Sequence, residues 1–394
     1  MILRIFGCGY LTLISLTLGQ SFCLAQQDDV NTIESDVQVL QEKFNSMREE
    51  FRNCVSEVQR LGVSYVNATS LDEAYPFLDD FDSQVEKGNE LLERWKTVGI
   101  KLFDLLDDNK QPIDEELAYF VSITVSKFFN ENQYEKAYQL ASKLFKNNPK
   151  NKIAEIFQAR SGILTNRFGN DIALLIKANK DHFQQEDAVT AAETVIINNL
   201  YVLDARFKKE LEIREKEAQA DDLPLVLLET SKGDIEFELF EDSAPDMVGN
   251  FIHLVENKHY DGLIFHGVIQ MSAAETGLFD SEFKKRELDY KIFDEKPTRD
   301  IFAGSVVMIS ESRNSADSRF FIATAPLPNV SGKQTVIGRV KNGMEVVYSL
   351  NNTHEMQEDE VVPVEDVVAD QIRIATVTRK RDHQYTPRKV SAEK

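Results

Sequence analysis

Residues 227–269 read LLETSKGDIEFELFEDSAPDMVGNFIHLVENKHYDGLIFHGVI. The stretch opens inside a short apolar run, 225–230, that ends in polar residues, and Lys232-Gly233 supplies a turn. Asp234-Ile235-Glu236-Phe237-Glu238-Leu239 alternates acidic and apolar side chains without a break, the pattern of a strand with one buried face. The two runs predict a hairpin. Pro245 then opens a helix to about 257, with Val248, Phe251, Ile252 and Val255 spaced along its inner side. Further short strands are expected at 263–269, 304–310, 320–324, 335–340 and 372–378, and a second helix at 344–350. Many short strands with two helices argue a closed β-barrel with helices over its ends.

Upstream the period changes. Ile33, Val37, Leu40, Phe44, Met47, Phe51, Val55, Val58 and Leu61 fall almost entirely three or four apart, which predicts one long amphipathic helix. Its stripe suits packing within its own domain, or else a self-association seam. Helical spacing continues over 71–78, 81–106 and 115–130, with a break at Asp107-Asp108-Asn109 and Pro112. The run from Asn132 to Pro149 is similar to the second helix of a tetratricopeptide repeat, and 153–164 could begin a further unit. An ordinary antiparallel helical bundle fits equally. Residues 207–220 are dense in Lys and Glu with no broad apolar face, and are expected to form a solvated helical linker.

The 394 residues carry 66 acidic and 45 basic side chains, a formal charge of −21. Such a body excludes nucleic acid as a natural partner, because phosphate binding needs a basic surface. Arg4, an apolar stretch to about Leu18 and the small-residue pattern Cys23-Leu24-Ala25 predict a secretory signal peptide cleaved after Ala25. The apolar run is too short for a stable membrane span. Cleavage would leave Cys54 as the one cysteine, and no zinc-type Cys/His cluster or cofactor motif occurs. The tail from Arg379, with Lys380, Arg381, Arg388 and Lys389, is basic, which fits either contact with an anionic surface or a disordered end.

Together with SRFFIATAPLPNVSGKQTVIGRVKNGMEVV at 318–347, the opening stretch resembles the cyclophilin-type peptidyl-prolyl cis-trans isomerases. The resemblance covers about 223–381. It implies an eight-stranded antiparallel barrel with two helices and a substrate groove on one face. Turning an X-Pro bond means losing amide resonance, against a barrier of about 18–20 kcal/mol. The family lowers it with an arginine that donates to the prolyl nitrogen, a pocket for the ring, and polar groups that grip the backbone.

On that resemblance the arginine position, after Phe265-His266, is Gly267, so no catalytic residue is assigned. Ser272-Ala273 stand where the family has a Phe-Met pair, and Glu275 replaces the substrate-gripping amide. Ser310 takes the place of an Asn that binds peptide backbone. Asn329 stands at a pocket-edge Trp or His, and Gln334 at a pocket His. Phe321 keeps the aromatic floor and Val330 an aliphatic wall. The groove positions are thus His266, Glu275, Ser310, Phe321, Asn329, Val330 and Gln334. Phe321 also fits as plain barrel core, His266 as a structural residue and Glu275 as a solvent-facing acid. Losing one key donor typically lowers a rate roughly 10²–10³-fold.

The expected organisation is a signal peptide at 1–25, an all-α domain at 26–205, a charged linker at 206–222, the barrel at 223–381 and a basic tail at 382–394. The expected function is an exported family member, catalytically weak or inactive, that binds proline-containing peptides or proteins. An active isomerase assisting the folding of exported proteins is the alternative. A third possibility gives the function to the helical half, as an oligomeriser or adaptor.

Overall fold

Between Cys8 and Ala220 the computed structural model turns the helical spacing into successive helices. It describes residues 8–68, 70–185, 188–351, 354–357, 360–363, 369–386 and 388–390, with side chains from residue 33 onward except at 71–73 and 354–363. The proposed cleavage site after Ala25 lies outside the residues whose side chains are described. The chain divides into two compact units, Met1–Thr124 and Val125–Lys394. The second unit holds the barrel together with the helices from Val125 onward.

In the first unit, α1 (Cys8–Asn67) pairs with α2 (Leu71–Asp108). The two helices expected at 71–78 and 81–106 are one, because nothing between them breaks the pattern and Pro76 lies near the start. Phe44, Met47 and Leu61 of the α1 stripe are buried, and Cys54 is buried beside them where the stripe predicted its neighbour Val55, which is exposed. The ring of Trp95 lies 5.4 Å from Phe44, 5.7 Å from Phe51 and 4.4 Å from Phe120 of α3 (Glu115–Asn130). Among the described residues no helix is long and apolar enough to cross a membrane.

The second unit begins with short helices: α4 (Tyr134–Asn147), α5 (Lys152–Leu164), α6 (Asn170–Ala178), α7 (Lys180–Phe183), α8 (Ala191–Asn198) and the longer α9 (Leu200–Ala220). They pack on the barrel that follows. Asn166 grips Ala303 with both ends of its amide, accepting from Ala303 N at 2.9 Å and donating to its carbonyl at 3.0 Å. Tyr134 stacks edge-on with Tyr348 at 5.1 Å.

The barrel sheet contains β1 (Leu225–Thr230), β2 (Gly233–Leu239), β3 (Gly267–Ile269), β4 (Ala273–Thr276), β6 (Ser305–Met308), β7 (Phe320–Ala323), β8 (Thr335–Asn342) and β11 (Ile372–Arg379). Its strand order is β11-β1-β2-β8-β6-β7-β4-β3, with every neighbouring pair antiparallel. The remaining strands, β5 (Lys291–Ile292), β9 (His354–Gln357), β10 (Glu360–Pro363) and β12 (Lys389–Val390), form two small ladders. Helices α10 (Pro245–Glu256) and α11 (Met344–Ser349) are the two expected. The strand foreseen over 263–269 pairs in the main sheet only from Gly267. Residues 262–265 instead bond across to 370–372, bringing the sheet ends together: Gly262 N to Ile372 O at 2.7 Å, and Phe265 N to Asp370 O at 2.9 Å. Inside, Phe251 stacks on Tyr260 at 4.9 Å and Phe320 meets both edge-on. Ring burial of this kind supplies most of a core's stabilisation.

Two expectations are corrected. Helix α9 is no solvated linker: Glu210 is buried and Glu217 largely so against arginines of the barrel. Arg299, only 3% exposed, meets Glu210 at 3.3 Å and also pairs with Glu217. Arg339 reaches Glu217 at 3.4 Å and pairs with Glu238 of β2. Opposite charges 80 to 130 residues away in sequence, invisible to a local pattern, explain the packing. The tail, for its part, is not a loose end over 382–386 and 388–390. Tyr385 is buried and donates to Glu241 at 2.8 Å, Arg388 meets Asp246 at 2.7 Å, and β12 pairs with β5. The anionic surface that its cations meet is the barrel itself.

Candidate functional site

Antiparallel register places five residues in one row across the sheet: Gly267, Glu275, Phe321, Val307 and Val336, each the Cα partner of the next. Partners share a face, because side chains alternate along each strand. The alternate row, Val268, Ala274, Ile322 and Val306, is buried in the barrel interior. The first row therefore lies on the outer face. Val307 and Val336 there join Leu223, Phe240, Ile301 and Ala323 in a second apolar cluster, with Phe321, Leu327 and Val330 partly buried at its margin. Phe321 therefore lies on the outer face at the margin of that cluster, not in the barrel interior.

At the open end of the row, Gly267 presents no side chain. A Cβ placed there would stand 3.4 Å from Glu275 Cβ and 3.7 Å from Glu275 Oε2. The acid of β4 thus overhangs the position left empty on β3. Its other oxygen, Oε1, lies 3.3 Å from His266 Nε2. His266 is buried, donates its backbone N–H to the Glu275 carbonyl, and sits edge-on to Phe279 at 5.0 Å. Its Nδ1 makes no hydrogen bond among the described residues. Just past Glu275, Gly277 adopts φ +102°, and a Cβ there would meet the Ser318 carbonyl at 2.3 Å. Only glycine lets the end of β4 pass so close to β7.

Ser310 and Gln334 face each other. Ser310 N–H donates to Gln334 Oε1, and Gln334 Nε2 donates to the Ser310 carbonyl, both at 3.0 Å. Ser310 Oγ donates to Asp294 Oδ1 at 2.9 Å. Asn329 is exposed in the turn at 328–330, and Val330 from the same turn reaches the apolar cluster. Glu275 and Phe321 are thus Cα partners on the outer face, with His266 beside Glu275 and Val330 at the same apolar cluster as Phe321, while Ser310 and Gln334 bond to each other and Asn329 is exposed.

Arg319 was missed in the sequence. It stands just before β7, two residues from Phe321, and contacts Asp317 Oδ1 and Oδ2 at 3.1 and 3.2 Å through Nε, with Glu311 beside it. Burial works against its charge, but the bonds from Asp317 and Glu311 outweigh burial and raise its pKa above the ordinary arginine value. The available signal was the Asp317–Arg319 pair two residues apart. Among the described residues no group of three His, Cys, Asp or Glu could hold a metal ion.

The chemistry follows from donors and acceptors. As an X-Pro amide twists out of conjugation, its nitrogen regains a lone pair and needs a hydrogen-bond donor. Gly267 offers none. An ionised Glu275 can only accept, and its charge opposes the electron density that develops.

Residues 225–379 match the family model described as cyclophilin type peptidyl-prolyl cis-trans isomerase/CLD. A peptidyl-prolyl cis-trans isomerase of Dictyostelium discoideum, cypE, is 36% identical over 146 residues, 36% of this chain and 92% of that protein. A peptidyl-prolyl cis-trans isomerase-like 1 from Aspergillus fumigatus is 34% identical over 149 residues, covering 36% and 89%. A peptidyl-prolyl cis-trans isomerase of Synechococcus elongatus is 35% identical over 128 residues, covering 32% and 88%. With these matches, its eight-stranded antiparallel sheet and its two helices, this chain belongs to the cyclophilin-type peptidyl-prolyl cis-trans isomerase family through its C-terminal domain.

Proposed function

We propose that the groove holds extended, proline-containing peptide segments with little or no isomerisation of the X-Pro bond. The observation that carries this is the carboxylate of Glu275 beside Gly267, where a donor to the prolyl nitrogen would have to stand. Phe321, Leu327 and Val330 still offer an apolar surface at the groove margin. Burying a proline ring against it gains roughly 25 cal/mol per Å² of apolar area. That favours holding a segment in either isomer without favouring the twisted state between them, and uniform binding does not accelerate a reaction. We further propose that the protein works after export, as supported by Arg4, the apolar stretch behind it and Cys23-Leu24-Ala25.

Fluorescence anisotropy of a labelled proline-containing peptide tests the binding. The full-length chain is expected to bind it at micromolar to submillimolar concentration. A Phe321→Ala, Val330→Ser double variant should weaken binding about tenfold. Absence of binding up to millimolar protein overturns the proposal.

A further inference from the structure

We propose that the groove selects segments bearing a lysine or arginine side chain, whose head occupies the space over Gly267 and pairs with Glu275. This rests on the groove being a peptide site, and it adds what the site prefers. The space is built into the register. Among the described residues, and beyond its chain neighbours, the only heavy atoms within 4 Å of a Cβ placed on Gly267 are two atoms of Glu275. The carboxylate is about a third exposed, and Oε1 faces His266, while Oε2 makes no hydrogen bond among the described residues. A guanidinium or ammonium arriving over Gly267 would meet that oxygen directly, as a charge-assisted bond.

The surroundings leave the acid available. Among the described residues His266 is its single close cationisable neighbour, reaches it through one ring nitrogen, and is buried with no hydrogen bond to its other nitrogen. Arg319, two residues before Phe321, already pairs with Asp317 and Glu311. Phe321 is the Cα partner of Glu275, so its ring flanks the path of an incoming basic side chain. Long basic side chains lay their methylenes on apolar or aromatic surface while the charge reaches a polar partner. A chain of net charge −21 also draws basic ligands in from a distance. A catalytic cyclophilin presents its own cation here, whereas this chain presents an anion to a cation carried by the ligand.

Three labelled peptides of identical sequence, differing by Arg, Gln or Glu beside the proline, test this with the full-length chain. The arginine peptide is expected to bind about tenfold tighter than the glutamine peptide, and the glutamate peptide weakest. Glu275→Gln should erase the preference for arginine, and Glu275→Asp should retain part of it. Equal affinities for arginine and glutamine peptides would overturn the selectivity while leaving peptide binding standing. A preference that persists in full in Glu275→Gln would assign it to the overall charge and overturn the site. Binding of none of the three would overturn the groove reading itself.

Discussion

Gln334 binds Ser310 as one peptide group binds another, its amide oxygen accepting the Ser310 N–H and its amide nitrogen donating to the Ser310 carbonyl, each at 3.0 Å. On the family resemblance, this position grips a peptide's backbone. Here its backbone groups are already satisfied from within, so a ligand must displace the Gln334 amide before it can pair there. Gln334→Ala should free both groups at the surface, where water can satisfy them. A hydrogen bond is worth about 1 kcal/mol net, so peptide affinity should rise about three- to tenfold. Titration of the variant beside the wild type checks this, and an unchanged or weaker affinity would mean that Ser310 takes no part in binding.

Restoring the missing cation alone should achieve little. An arginine at position 267 would rise directly beside Glu275, whose Oε2 is 3.7 Å from the Cβ it would carry. The guanidinium would pair with that carboxylate and turn away from a prolyl nitrogen. Gly267→Arg is therefore expected to raise isomerisation of a short X-Pro peptide less than tenfold. Gly267→Arg with Ser272→Phe, Ala273→Met and Glu275→Gln should gain more, because the ring then has a pocket to rest in. A large gain from the single change would show that the groove needs only its arginine.

The barrel was legible because its signals are local. Strict alternation at 234–239, Pro245 before an apolar helical face, and short apolar runs between turns each reflect one element burying one face. Strand β4 was not foreseen, since Ala273-Ala274-Glu275-Thr276 shows no apolar alternation and is held by its neighbours β3 and β7. The substitutions at 267, 275, 310 and 334 were readable one by one. Their pairings, Glu275 over Gly267 and Gln334 on Ser310, depend on registry between strands and loops far apart in sequence. For the same reason Glu210 and Glu217 read as solvent-facing charges until Arg299 and Arg339 were placed beside them.

That buried network should make α9 and the barrel one cooperative element. Arg299 also lies over the Phe240 ring at 3.5 Å, so it joins the helix to the outer apolar cluster. Arg299→Leu would leave Glu210 and Glu217 short of a partner, and breaking a buried pair from one side typically costs about 3–5 kcal/mol. Urea unfolding followed by circular dichroism should show the midpoint falling accordingly. Limited proteolysis should cut within 206–222 slowly in the wild type and rapidly in the variant. Early cutting there in the wild type would contradict the packing.

Stability should also respond to mild acid through His259. Burial, with the nearby Arg286, pushes its pKa from the ordinary 6.5 down to about 4. Between those values the unfolded chain takes up a proton that the folded chain refuses, so stability is lost as pH falls from about 6.5 toward 4. Urea midpoints across this range should decline, and His259→Gln should flatten the decline. Identical slopes in both proteins would show that His259 is protonated alike in the folded and unfolded states.

Isomerisation itself decides the central claim. Cis–trans exchange of a short X-Pro peptide can be followed by exchange NMR with full-length chain, beside an equal concentration of an active cyclophilin. The expected result is peptide binding with an exchange rate at least 10²-fold below that of the active enzyme, as the loss of a single donor alone would produce. A rate comparable to the active enzyme's would contradict the account, since catalysis would then proceed with Gly267 and Glu275 where a donor should stand.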